Sequence, residues 1–357
     1  MLQPWDGSCV ALFAFVLKLA CLAFGLVFLV GLVWHAGPQS ILEAIAQFGL
    51  PAMFVIMIPM MMVYALEAWG WRLTLGPFSA RIGFARLFAI RMAGETINVT
   101  TPTAYIGGEP MKALFLKHYG VPMVDALASV ITAKTTMTMA QVLFILLGMG
   151  LAVGLLGSVD HHLMAMIVSL MLLGFGVGMF VAFQRYGLVM GCVALLERVG
   201  IRIAYLEQRK AKLRDLDRMI QSFYTHHART FYLALCTFFL AWMTEALEVY
   251  AILYFLGQET DILASVSLAA LTVLIKGGTF FIPGSLGAQE GGYVLLLMMF
   301  GYSEITGVTF ALVRRLREIL WILIGLGCLV WLKQQSRVDA YPNPPKSERP
   351  QEQQMLQ

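Results

Sequence analysis

The stretch Thr100-Thr101-Pro102-Thr103-Ala104-Tyr105-Ile106-Gly107-Gly108-Glu109 breaks one apolar run of the chain. Phe281-Ile282-Pro283-Gly284-Ser285-Leu286-Gly287-Ala288-Gln289-Glu290 breaks another in the same manner, 181 positions later. At that single offset Pro102 matches Pro283, Glu109 matches Glu290, Leu114 matches Leu295, Gly120 matches Gly301 and Lys134 matches Arg315. A proline removes a backbone donor and clashes with the preceding turn, so each stretch interrupts a helix. Matched helix breaks carrying carboxylates, in two halves of an apolar chain, mark an internal repeat and point to a transporter's substrate region.

Working outward, the 357 residues are 59% hydrophobic and 13% charged, with a mean hydropathy of +0.76. That composition cannot cover a soluble surface, so the expected class is an all-α polytopic membrane protein. Six stretches are long enough to cross about 30 Å of hydrocarbon: 11–34, 51–75, 122–150, 161–183, 229–257 and 303–332. The broken stretches 84–119 and 263–300 leave only about 15 residues on either side of the break, too few to span. They read as re-entrant helical hairpins.

Lys and Arg set the orientation. Arg185, Arg198, Arg202, Arg209, Lys210, Lys212, Arg214 and Arg218 place the middle segment in the cytoplasm, as Arg72, Arg81, Arg86, Arg91 and Lys117 do for the first hairpin. The connections at 35–50, 151–160 and 257–262 carry neither residue. Three spans then separate the hairpins, so the two repeats are inverted and both termini are cytoplasmic. The expected organisation is a short N-terminus (1–10) and a first membrane repeat (11–183). A basic amphipathic linker (184–228), suited to the inner membrane surface or to a plain connector, joins a second repeat (229–333) and a disordered tail (334–357). The first apolar segment lacks a basic leader and a small-residue cleavage site, so it reads as a retained span.

Ionisable side chains inside spans cost about 2.5–3.5 kcal/mol each, so they face the bundle interior and find partners. Around the first break stand Glu95, Asn98, Glu109 and Lys112, with Glu109 and Lys112 three apart on one helical face. Around the second stand Lys276, Gln289 and Glu290, and the following spans add Lys134, Arg314, Arg315, Arg317 and Glu318. Arg314 and Glu318 have the spacing of an i,i+4 pair. Glu67 and Glu245, beside Trp69 and Trp242, read as interfacial. Gly94, Pro102, Gly107, Gly108, Pro283, Gly284 and Gly287 supply the irregular backbone. Two roles stay open for these charges: mutual satisfaction that fixes the fold, or reception of a lipid headgroup in one cavity shared by Glu109, Lys134, Glu290, Arg314 and Arg315.

No Ser/His/Asp or Cys/His arrangement, HExxH or soluble GxGxxG unit is present, so no enzyme is expected. The five scattered cysteines and the pairs His161-His162 and His226-His227 give no metal site, and no cofactor is indicated.

Gly94-x-x-x-Asn98-x-x-x-Pro102, Gly107-Gly108-Glu109-Pro110-Met111-Lys112-Ala113 and Ile282-Pro283-Gly284-Ser285-Leu286-Gly287-Ala288-Gln289-Glu290-Gly291 resemble the lysylphosphatidylglycerol synthase transmembrane (flippase-like) domain family. The resemblance covers roughly residues 10–335, and the wording of the second motif is similar to its hopanoid-biosynthesis-associated branch. It implies a standalone flippase-like lipid transporter of a bacterial cytoplasmic (inner) membrane. Its cargo would be a polar-headed lipid, hopanoid-related or an anionic or aminoacylated phospholipid. The partners implied are membrane lipids and lipid-biosynthesis enzymes, with no nucleic acid. The fused aminoacyl-transferring domain of bifunctional members has no counterpart in these residues, so aminoacylation is not implied. A carrier of polyprenyl-phosphate-type lipids and a non-transporting scaffold for lipid-biosynthesis enzymes remain the alternatives.

Overall fold

The computed structural model describes residues 38–100, 107–156, 210–279 and 287–340, with a few isolated positions besides. Pro102, Pro283 and Gly284, almost all of the spans expected at 11–34 and 161–183, most of the linker and the chain beyond Ala340 lie outside the described residues. The described chain is helical, with no strand among the described residues.

Among the described residues, four α-helices with described bounds come before the linker: α1 (Pro38–Thr74), α2 (Phe84–Thr100), α3 (Gly108–His118) and α4 (Met123–Leu156). The linker contributes α5 (Lys210–His226). After it run α6 (Ala228–Phe255), α7 (Ile262–Gly278), α8 (Ala288–Met299) and α9 (Glu304–Ala340). Helix α1 kinks at Gly49, where φ is 70° and ψ 162°, just ahead of Pro51. The stretches 48–74, 123–155 and 228–255 are long and apolar enough to cross a membrane. The sixth expected span, 303–332, falls in α9 from Glu304 onward, and that helix continues past the expected start of the tail.

The helices flanking the breaks are short. α2 and α7 have 17 residues each, α3 has 11 and α8 has 12. At 1.5 Å per residue these reach about 25 Å and about 17 Å, less than the hydrocarbon thickness. Both short helices α3 and α8 stop in the same way. Gly120 (φ 83°) and Gly301 (φ 87°) take the left-handed conformation that glycine adopts freely. Val121 N–H then donates to Leu116 O at 3.1 Å, and Tyr302 N–H to Leu297 O at 3.1 Å. Leu116 and Leu297, also 181 apart, are both fully buried.

Packing is reciprocal. α1 and α6 share the most extensive contact; α2 packs on α9, and α7 packs on α4. Small residues make both of the latter crossings close. A Cβ on Gly148 of α4 would stand 2.1 Å from Ala270 Cβ, and one on Gly325 of α9 would stand 1.8 Å from Thr96 Oγ1. In lipid, such close fit replaces water expulsion as the source of helix association. One apolar cluster (Ile56, Phe144, Val249, Leu268, Leu297, Phe310) joins α1, α4, α6, α7, α8 and α9. A second (Ile82, Leu87, Ile90, Leu116, Ala234, Leu332) joins the elements around α2 and α3 to α6 and α9. The outer faces of α1, α6 and α9 expose Phe54, Ile58, Tyr232, Leu240, Leu323 and Val330, a belt that only lipid would solvate favourably. In the linker, α5 spends part of its apolar face on protein: Leu216, Ile220, Phe223 and Tyr224 pack with Ala128, Leu127 and Ile131 of α4.

Candidate functional site

The first break is closed by Asn98. Its Oδ1 accepts from Gly108 N–H at 2.7 Å and its Nδ2 donates to Glu109 Oε1 at 3.2 Å. One amide thereby satisfies an orphan donor at the start of α3 and fixes the carboxylate beside it. Lys112 Nζ donates to Glu109 Oε1 and Oε2 at 3.0 and 3.1 Å, the i,i+3 pair expected from the spacing. The stem of Lys112 lies across Gly94, where a Cβ would meet Lys112 Cε at 2.5 Å. A Cβ on Gly108 would sit 2.0 Å from Gly94 O, so the two backbones cross where neither residue has a side chain. Gly94, expected to supply irregular backbone, lies inside the regular helix α2 instead, and with Asn98, four residues on, it shares the helical face that makes this crossing possible. Gly107 precedes it as the N-cap residue of α3. Lys134 of α4 completes the group, with Nζ 3.7 Å from Glu109 Oε1.

The second break repeats the plan with different chemistry. Glu290 Oε2 accepts from Gly287 N–H at 2.6 Å, a reach made possible by the positive φ (77°) of Gly287. Glu290 Oε1 accepts from Arg315 Nε at 2.8 Å and from its Nη2. Arg315 Nη1 donates to Glu318 Oε2 at 2.7 Å, and Lys276 Nζ donates to Glu318 Oε1 at 3.4 Å. Gln289 Nε2 donates to Tyr293 Oη at 2.8 Å.

Arg314 does not pair with Glu318, contrary to the i,i+4 expectation. It points toward α6 and α7 instead: Nη2 contacts Glu245 Oε1 at 2.5 Å and Glu248 Oε2 at 3.2 Å, and Nη1 donates to Thr272 Oγ1 at 2.9 Å. The rings of Tyr293 and Phe310 lie 5.3 and 5.5 Å from its guanidinium carbon. Five neighbours outweigh one helical spacing. Arg317 Nη1 lies 2.6 Å from Glu248 Oε1.

Glu67 and Glu245 are not interfacial. Glu67 is buried and ion-paired with Arg91, whose guanidinium also faces the Tyr64 ring at 4.6 Å. Arg91, assigned above to the cytoplasmic flank, is therefore an interior residue. Its signal was present: Arg91, Glu95 and Asn98 fall at i, i+4 and i+7, one polar stripe along α2. Glu248 was missed; it lies 181 positions beyond Glu67 and is likewise buried against arginine.

A cavity of about 220 Å³ opens between α1, α2, α4, α6, α7 and α9, three helices from each side of the linker. Arg91, Lys134, Lys276 and Arg317 line it, together with Glu67, Glu95, Glu245 and Glu318. A smaller space of about 40 Å³ reaches Glu109 and Lys112 and shares Glu67, Arg91, Glu95 and Lys134 with the larger. Lys134 thus faces both spaces and Glu109 the smaller. Glu290, Arg314 and Arg315 line neither and stand behind, linked to the larger cavity through Glu318 and Glu245. Among the described residues the network holds seven cations (Arg91, Lys112, Lys134, Lys276, Arg314, Arg315, Arg317) and seven carboxylates (Glu67, Glu95, Glu109, Glu245, Glu248, Glu290, Glu318).

Long apolar helices, an apolar outer belt and a charged interior cavity define a multi-pass membrane protein. The chain belongs to the lysylphosphatidylglycerol synthase transmembrane-region family, whose model matches residues 15–327. It is also similar to a UPF0104 membrane protein of Methanothermobacter thermautotrophicus, at 25% identity over 319 residues covering 86% of this chain and 92% of that protein. These likenesses make it a membrane protein related to lipid metabolism or transport.

Proposed function

We propose that the protein is a flippase-like transporter that moves a polar-headed lipid, a phospholipid or a hopanoid-related one, between the leaflets of a bacterial cytoplasmic membrane. The headgroup crosses through the charged cavity while the tails stay in hydrocarbon. The observation that carries this reading is the cavity itself: charges too costly to leave against lipid, gathered by helices from both sides of the linker. The two broken helices end at it, with Thr96 and Val99 of α2 and Lys276 and Gly277 of α7 among its lining residues.

Alternating access is supported by the matched elements. The pairs Glu109–Lys134 and Glu290–Arg315 recur at one offset, as do the Gly120 and Gly301 caps, and the packing of α2 on α9 answers that of α7 on α4. An inverted repeat with two re-entrant hairpins, six spans and cytoplasmic termini accounts for these together with the Lys/Arg distribution. No catalytic step and no cofactor is part of this reading.

The test is reconstitution. Vesicles containing the purified chain and an acyl-labelled phospholipid should lose their inner-leaflet protection against an impermeant quencher faster than protein-free vesicles. Equal rates would leave the protein as a scaffold for lipid-biosynthesis enzymes.

A further inference from the structure

We propose that the larger cavity is built for a headgroup of zero net charge that carries both signs, a phosphate and an ammonium, as a phosphoethanolamine group does. This deepens the lipid-transport reading above and rests on it.

Charge balance is the first reason. Among the described residues the seven cations and seven carboxylates of the network cancel. A singly charged guest would leave one charge uncompensated in a low-dielectric interior, whereas a zwitterion adds none.

The donors are the second reason. The side chains of Lys134 and Lys276 are 43% and 38% exposed, and their nearest carboxylates stand at 3.7 and 3.4 Å. The Lys134 contact exceeds the about 2.7–2.9 Å of a tight charge-assisted hydrogen bond, so its ammonium can tighten onto a phosphate at small cost. The two lysines come from opposite sides of the linker and line the same space. Arg91 and Arg317, which also line it, are buried against Glu67 and Glu248. Trp321, 5% exposed, also lines the cavity.

The acceptor is the third reason. Glu95 lines the cavity in the field of Lys134, Arg91, Lys112 and Lys276, with no ion pair within 4 Å among the described residues. When a phosphate engages the two lysines, the Glu95 carboxylate is left to receive the ammonium of the same headgroup.

The full chain in vesicles would be given three lipids with one labelled acyl chain and different heads: phosphoethanolamine, phosphoglycerol and an uncharged sugar. The phosphoethanolamine lipid should cross roughly ten times faster than either of the others, the factor expected of one added charge-assisted hydrogen bond. Glu95→Gln should erase that preference while the protein stays monodisperse, Glu95→Asp should restore part of it, and Lys276→Gln should slow both phosphate-bearing lipids. Equal rates for all three heads, a faster phosphoglycerol lipid, or a preference that survives in a folded Glu95→Gln protein would overturn the proposal. A thermal-unfolding arm in detergent uses soluble glycerophosphoethanolamine, a net-neutral phosphodiester, and inorganic phosphate. A shift with glycerophosphoethanolamine alone, and no lipid moving, would keep the zwitterion site, identify its ligand as a free solute and remove the transport reading. No shift and no lipid movement would remove both.

Discussion

Glu109–Lys134 and Glu290–Arg315 occupy matching positions in the two halves of the chain, yet they are made differently. Lys134 is 43% exposed, 3.7 Å from its carboxylate, and faces the cavity. Arg315 is 15% exposed, grips Glu290 through two nitrogens and reaches Glu318 with a third. A guanidinium presents a rigid fork matched to carboxylates, whereas an ammonium is a compact charge on a flexible stem. The same position therefore serves as a fixed strut in the second half and a movable contact in the first. The lesson is that a matched pair in a repeat need not share one job: symmetry supplies the frame, and the departure from it marks the working side.

Variants can break this contrast, and the largest effects belong to the frame. Gly108→Ala should prevent recovery of monodisperse protein in mild detergent, because its Cβ would meet backbone, Gly94 O, with no flexible atom to yield. Next, Glu248→Gln leaves two buried guanidiniums short of their counter-charge and should destabilise by about 3–5 kcal/mol, read as a lower melting temperature. Arg315→Gln should fall in the same range, since Glu290 is 2% exposed and loses its partner. Lys134→Gln should cost no more than about 1 kcal/mol, because its pair is long and half-solvated. Lys134→Arg, which writes the second half's residue into the first, should shift stability by only a few tenths of a kcal/mol. It should also slow lipid movement, by tightening the contact that has to exchange.

Much of this frame was legible in the sequence. The helix ends that flank the breaks, the offset of 181 and the Glu109–Lys112 pair follow from residue type and spacing alone, because local backbone rules govern them. The partners of Arg314 were not legible. Its spacing to Glu318 was right for a helix surface, but burial among Glu245, Glu248, Thr272 and Tyr293 depends on which helix lies opposite, and no local pattern encodes that. Arg91 was hidden for a related reason: near a span end, a charge that orients the chain and a charge buried in the bundle look alike until Glu67 is seen beside it. Glu248 could have been found by carrying the offset of 181 back to Glu67.

The most direct test of the account is the rate of headgroup translocation by Lys134→Gln protein in vesicles, alongside its unfolding curve. The account predicts a folded protein with nearly unchanged melting and a rate roughly tenfold lower than wild type, as expected for loss of one charge-assisted contact to the moving headgroup. A folded Lys134→Gln protein that moves lipid at the wild-type rate would contradict it.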